Sequence, residues 1–198
     1  MTSALPYANG ELHLGHIVST YLPSDIFTRY CKLRGYNVVH ICATDDFGTP
    51  ILIRSEQEKK TPENYVDYWN KKDLKDFSDL GIKFDLFYKT SSKENVDITQ
   101  DFFIKLEKNG HIEKRTIKQS YCNNDKKFLP DRYVIGVCTY CGSQDQYSDG
   151  CEKCGQTFQP GEIKEAKCAI CGTPPIQRKS EHFFFKLSQF SDSLKEWL

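Results

Sequence analysis

The sequence predicts an α/β fold. The reading is a doubly wound parallel sheet, incomplete in its strands, interrupted by a β-rich insertion held by cysteine knuckles. Three observations carry it. Strand-like runs alternate with helical periods through the first 112 residues. That texture stops near Ile112, and residues 113–177 are rich in Cys, Gly, Asp and Pro without helical periodicity. Six of the nine cysteines stand in three Cys-x-x-Cys pairs inside that tract: Cys138/Cys141, Cys151/Cys154 and Cys168/Cys171.

Taken in order, residues 2–7 make a short first strand. From Leu14 to Arg34, Ile17, Tyr21, Phe27, Tyr30 and Leu33 recur close to a helical period. Pro23 is placed to kink this helix and Gly35 to end it. Asn37–Ala43 is a short β-branched run that suits a buried parallel strand. Thr61 and Pro62 read as an N-cap followed by proline at the first helical position. Tyr65, Trp69, Phe77 and Leu80 follow, and Gly81 stops that helix. Phe84–Tyr88 reads as a strand, and residues 94–110 as a helix closed by Gly110. After Pro175 the chain turns apolar again, with a strand at Glu181–Leu187 and a helix start at Phe190–Leu198. The domain boundaries that follow are 1–112, 113–177 and 178–198.

Composition bounds the function. Lys+Arg and Asp+Glu are 27 each, so the formal net charge is zero. That balance argues against a nucleic-acid coat or a membrane-surface protein, though not against a local basic patch. No apolar run approaches the ~20 residues of a membrane span, and the polar N-terminal stretch lacks a secretory pattern. The expectation is a soluble, cytoplasmic protein with no membrane partner. Hydrophobic residues at 38% suffice for a core.

Two histidines, His13 and His16, bracket Leu14-Gly15 where the first strand meets the first helix. A helix N-terminus carries unpaired N–H groups and partial positive charge, which suits an anion. Gly15 leaves room for a nucleotide against the backbone. Asn9-Gly10 supplies a turn that aims the pair. Both imidazoles can donate to phosphate oxygens as charge develops, each worth about 3 kcal/mol in rate. The fitting chemistry is attack on a nucleotide α-phosphate with loss of pyrophosphate.

An odd cysteine count without a secretory pattern speaks for metal over disulfides. Cys138-x2-Cys141-x9-Cys151-x2-Cys154 is two knuckles that close a tetrahedral Zn²⁺ site. Gly142, Gly150 and Gly155 supply the backbone angles such knuckles favour. Four protein ligands leave no open position, so the site is structural and folds a loop with little core of its own. Cys168 and Cys171 need partners, and Cys122 with Asp125 provides them, giving a second nested zinc site. Cys31 and Cys42 read as small buried hydrophobes.

Beyond this, Ala4–His16 (ALPYANGELHLGH) resembles the HIGH-motif segment of class I aminoacyl-tRNA synthetases, in its methionyl-tRNA synthetase form. Ala43–Ile51 (ATDDFGTPI) resembles the family's Thr-Asp-Glu-His-Gly-Thr-Pro segment. Phe128–Gly142 resembles the start of its zinc-knuckle insertion, and Ser180–Leu187 the return into the catalytic sheet. The matches run from residue 3 to about residue 190. The resemblance implies a Rossmann-like catalytic domain and activation of methionine with ATP, as its magnesium complex, followed by transfer to tRNA(Met). It implies a methionine pocket at Ala4, Leu5, Tyr7 and Asp45, with Asp46 the lesser candidate for the ammonium group. It implies ATP contacts from Tyr7, Asn9, His13, Gly15 and His16, and a catalytic Arg178 beside His13 and His16. Phe47 departs from the family's usual histidine.

The family's Lys-Met-Ser-Lys-Ser loop and helical anticodon-reading domain have no counterpart in these residues. The expectation is therefore a fragment, or one subunit whose remainder a second polypeptide carries, inactive or nearly so by itself. Two rivals stand beside this reading. A leucine-, isoleucine- or valine-type synthetase would carry a much larger insertion than residues 113–177. A zinc-ribbon binding module would leave the first hundred residues without a task.

Overall fold

The computed structural model describes residues 1–159 and 161–198. Its contacts divide the chain into two units, Met1–Asp101 and Phe102–Leu198. The sequence boundaries follow a different criterion: residue 112 opens a strand and residue 178 lies in its antiparallel partner.

In the first unit, α1 (Leu14–His16) runs through a π-helical stretch, Ile17–Tyr21, into α2 (Leu22–Leu33). In a regular α-helix the Pro23 ring would press on the Ser19 carbonyl. The wider π turn sits at that point, so the expected kink takes this form. Gly35, at φ +80°, closes the helix, with Tyr36 N–H donating to the Cys31 carbonyl at 3.0 Å. Next come β1 (Ile41–Thr44), α3 (Thr49–Gln57), α4 (Pro62–Asp79) and β2 (Leu86–Lys89), then α5 (Lys93–Lys108), whose last residues from Phe102 on belong to the second unit. The α3 helix is additional to the sequence reading. The N-cap at Thr61 is present, its hydroxyl accepting from Asn64 N–H at 3.2 Å.

Strands β1 and β2 pair in parallel, Ile41 opposite Leu86 through Thr44 opposite Lys89. The other edge of β1 receives parallel bridges from Thr2 and Tyr7. The first segment therefore touches the sheet at its two ends and does not form a continuous strand. Two small cores lie around this sheet. One gathers Ile17, Tyr21, Cys42, Phe77 and Ile82; the other gathers Ala8, Ile51, Tyr65 and Val66. Burying a large apolar member such as Ile51 or Phe77 contributes roughly 1.5–3 kcal/mol. Cys42 is buried as expected, whereas Cys31 is only half-buried. The buried His40 ring is fixed between Ser3 Oγ at 3.1 Å and the Lys83 carbonyl at 3.0 Å.

The second unit holds β3 (Ile112–Cys122), β4 (Lys127–Phe128), β5 (Val134–Val137), β6 (Gln146–Tyr147), β7 (Lys164–Cys168), β8 (Ile176–Phe185) and α6 (Ser191–Trp197). Strand β3 lies between β4 and β8, and β5 lies between β6 and β7. The β3–β8 ladder runs from Ile112 opposite Phe185 to Tyr121 opposite Ile176. The tract between these two strands therefore leaves from and returns to neighbouring strands. Among the described residues, no helix is long and apolar enough to cross a membrane.

Candidate functional site

His13 is extended (φ −107°, ψ 164°), and the chain turns helical at Leu14. Four residues of α1 and its cap thus carry both histidines at the helix start. Both imidazoles are exposed, and their rings stack at 3.6 Å with 23° between planes. His13 N–H reaches His16 Nδ1 at 3.5 Å. A Cβ on residue 15 would stand 2.8 Å from His13 Cε1, so Gly15 makes room for the His13 ring itself.

The tight hydrogen-bonded turn ahead of the pair falls one step earlier than Asn9-Gly10. Asn9 N–H donates to the Tyr7 carbonyl at 2.7 Å, around the fully buried Ala8. Tyr65 then holds the Asn9 carbonyl from α4 at 3.3 Å.

This arrangement opens a cavity of about 340 Å³ whose walls include Ala4, Leu5, Tyr7, Asn9 and His16. Tyr21, from the π stretch, closes another side. Asp45 stands beside it: its N–H donates to the Pro6 carbonyl at 2.8 Å, and its own carbonyl accepts from Ala8 at 3.0 Å. Partial burial, then the Asp45 charge, push the Tyr7 phenol above its ordinary range. Gly48 has φ +122°, and a side chain there would run into the Tyr7 hydroxyl.

Asp46 does different work. It is 5% exposed, and its Oδ2 accepts from Ser91 N–H at 3.1 Å and Ser91 Oγ at 2.7 Å. It fastens the turn after β2. Asp45 Oδ1 meets only the Phe47 N–H, at 3.5 Å, among the hydrogen bonds of the described residues. Phe47 is 58% exposed and lines a second cavity of about 580 Å³, with Asp46, Ile51 and Leu52. It does not line the Ala4–Tyr21 cavity. Arg178 belongs to the second unit, where its guanidinium covers the Tyr121 ring at 4.6 Å and Phe128 at 6.0 Å.

The second unit gathers two donor groups that could hold a metal ion: Cys138, Cys141, Cys151 and Cys154, and Cys122, Asp125, Cys168 and Cys171. Within each, the four ligand atoms lie within 4.8 Å of one another. Cys141 N–H points at Cys138 Sγ and Cys154 N–H at Cys151 Sγ, both at 3.4 Å. Asp125 N–H does the same to Cys122 Sγ at 3.3 Å. Asp125 Oδ2 lies 3.1 Å from Cys122 Sγ and 3.2 Å from Cys168 Sγ. Thiols of Cys171, Cys122 and Cys168 around it hold its carboxyl below the usual range. Two thiolate knuckles at this spacing fit a closed tetrahedral ion, and an aspartate oxygen is an acceptable fourth ligand.

The family model for tRNA synthetases class I (M) matches residues 1–198. The chain belongs to this family. Three curated relatives match over the whole chain, each called a methionine--tRNA ligase. Those from Myxococcus xanthus and Pyrococcus furiosus are 45% identical, and that from Methanocaldococcus jannaschii is 46% identical. The chain spans 28%, 27% and 30% of their lengths respectively. A crystal structure of Mycobacterium tuberculosis methionyl-tRNA synthetase bound by methionyl-adenylate aligns with 98% of this chain and 33% of its own. Its TM-score is 0.66 at 20% identity. The Agrobacterium radiobacter K84 agnB2 LeuRS–tRNA–LeuAMS complex aligns equally well, at TM-score 0.66 and 21% identity, over 98% of this chain and 21% of its own. At those identities the likeness is one of fold, which is the class I synthetase α/β fold.

Within the family assignment, the sequence reading missed Leu12, Thr20 and Tyr21 as cavity walls. Tyr21 had been legible only as a helical apolar position. Pro23 marks the helix as irregular there, but it does not show which side chain the π turn brings to the wall.

Proposed function

We propose that this chain is the N-terminal catalytic part of an enzyme that activates methionine with ATP and transfers it to tRNA(Met). The observation that carries the reading is one shared cavity, walled by Ala4, Leu5, Tyr7, Asn9 and His16 at the start of the first helix. In the reaction, a methionine carboxylate oxygen attacks the α-phosphorus of ATP. The bond to the β-phosphate oxygen breaks, and pyrophosphate leaves. A ribose hydroxyl of the tRNA end then attacks the acyl carbon and releases AMP.

In this reading Leu5 and Tyr7 flank the thioether, and the Asp45 carboxylate holds the ammonium. Tyr7, Asn9 and Gly15 border ATP with its magnesium. His13 and His16, stacked and exposed, donate N–H groups to phosphate oxygens as charge builds. Arg178 stands as the counterpart of the family's catalytic arginine. The parallel β1–β2 pair is taken as part of a doubly wound sheet. The domain scheme of 1–112, 113–177 and 178–198 is kept, with the middle part as the zinc-knuckle insertion. The two donor groups hold structural zinc, which supplies folding energy and no chemistry. The setting is the cytoplasm.

Methionine-dependent exchange of pyrophosphate into ATP, measured on the full-length protein carrying this chain, tests the reading. Wild-type protein exchanges; His16→Ala loses at least about tenfold, chiefly in kcat. Exchange that His16→Ala leaves untouched removes the histidine role. No methionine-dependent exchange at all removes the whole reading.

A further inference from the structure

The inner face of α4 presents Tyr65, Trp69, Asp73 and Phe77 at four-residue steps. Three of these have visible packing tasks. Tyr65 holds the Asn9 carbonyl, Trp69 meets the Tyr65 ring edge-on at 6.2 Å, and Phe77 meets the Tyr21 ring at 4.6 Å. Asp73 is different: it is 0% exposed, and among the described residues neither carboxyl oxygen has a hydrogen-bond partner. A buried ion without partners is expensive, whereas a neutral acid costs far less.

Burial, then the charge of Asp76, push the Asp73 carboxyl up to about 7, against a smaller pull from Lys72. The titratable groups that face it are Tyr21 from the π stretch, Cys42 from β1, and Asp76 and Lys72 from α4. The Asp73 charge acts on both Tyr21 and Cys42. Tyr21 is the one that also walls the Ala4–Tyr21 cavity. Asp73 itself does not reach that cavity, so any effect on a ligand passes through Tyr21.

We propose that Asp73 is a positioning residue for the cavity: carrying its proton, it lets Tyr21 stay packed at the wall, and on losing it, it disturbs Tyr21 and weakens methionine binding. The inference rests on the methionine-site reading above. A negative charge set into this core demands solvent or a cation, and in this proposal the Tyr21–Phe77 pair, with rings 4.6 Å apart and Phe77 one helical turn from Asp73, yields to admit either.

The test is the KM for methionine in the exchange reaction between pH 6 and 8.5, for wild type and Asp73→Asn in the full-length protein. Wild-type KM rises at least about fivefold across that range while kcat moves less. Asp73→Asn shows a flat profile near the wild-type low-pH value. An unchanged pH profile in Asp73→Asn overturns the inference and leaves the functional reading intact. No methionine-dependent exchange at any pH sinks the functional reading and this inference with it. A second measurement needs no variant: the ¹³C carboxyl resonance of Asp73 and the Tyr21 ring resonances titrate together near neutral pH. An Asp73 carboxyl that stays ionised down to pH 5 overturns the inference.

Discussion

A carboxyl group that folding strips of water leaves a mark on the whole stability curve. Asp73 goes from an ordinary value of 3.8 to about 7 on burial, so the folded chain binds a proton that the unfolded chain has released. The sign follows: this contribution to stability is complete below about pH 4 and is lost as the pH rises through 7. Asparagine has no proton to lose. Between pH 4 and 8, Asp73→Asn should therefore gain on wild type by up to about 4 kcal/mol, the equivalent of the full shift. Urea unfolding at the two pH values measures this. A stability difference that is the same at both would show that Asp73 ionises in the folded chain as easily as outside it.

The cysteine knuckles share one backbone plan, and its exception is informative. The amide of the first cysteine in each Cys-x-x-Cys donates five residues ahead: Cys138 to Ser143, Cys151 to Gln156, Cys168 to Thr173. One residue earlier stands a left-handed glycine, Gly142, Gly155 or Gly172, at φ +72° to +74°. The Cys122 knuckle repeats the plan, pairing Cys122 with Lys127, but its left-handed position is Lys126 at φ 52°. A side chain in that region costs roughly 1–2 kcal/mol. Lys126→Gly should thus stabilise the second unit by about 1 kcal/mol, read as a raised urea midpoint; a lowered midpoint would mean that the lysine side chain contributes more than the strain costs. The same comparison shows what the sequence made legible. The Cys-x-x-Cys spacing and two of the three glycines announce themselves. Gly150 was expected to bend likewise, yet its role is close approach, since a Cβ would stand 3.2 Å from the Gln156 carbonyl. Strand β1 begins at Ile41 and not Asn37, because pairing starts only where Leu86 arrives, far along the chain. Helix α3 stayed hidden because its first turn, Thr49-Pro50, reads as part of the loop after Gly48. Most proposed cavity residues stood in one contiguous motif; Tyr21 was supplied by packing.

On the scale of the chain, the two units have different sources of cohesion. In the first, aromatic and aliphatic side chains form the buried clusters, with α4 contributing the fully buried Tyr65 and Phe77. In the second, the buried apolar set among the described residues is Leu129, Tyr133, Val134, Phe158 and Ile163 together with Cys122, Cys138, Cys151 and Cys168. Four of these nine are proposed metal ligands, so removing the ions would also remove the geometry that buries them. A unit with so few other buried side chains sits near the limit at which a hydrophobic core alone suffices. On the zinc reading proposed above, metal binding energy is folding energy for this part of the chain. Two consequences can be measured together. Wild-type protein should hold two zinc ions per chain and Asp125→Ala one, counted by elemental analysis; a count that stays at two excludes Asp125 as a ligand. A strong chelator should then raise amide hydrogen exchange across β5, β6 and β7 by orders of magnitude while α4 stays protected, because the first unit has its own core. Protection that survives chelation in β5–β7 would mean that Leu129, Tyr133, Val134, Phe158 and Ile163 hold this sheet without metal.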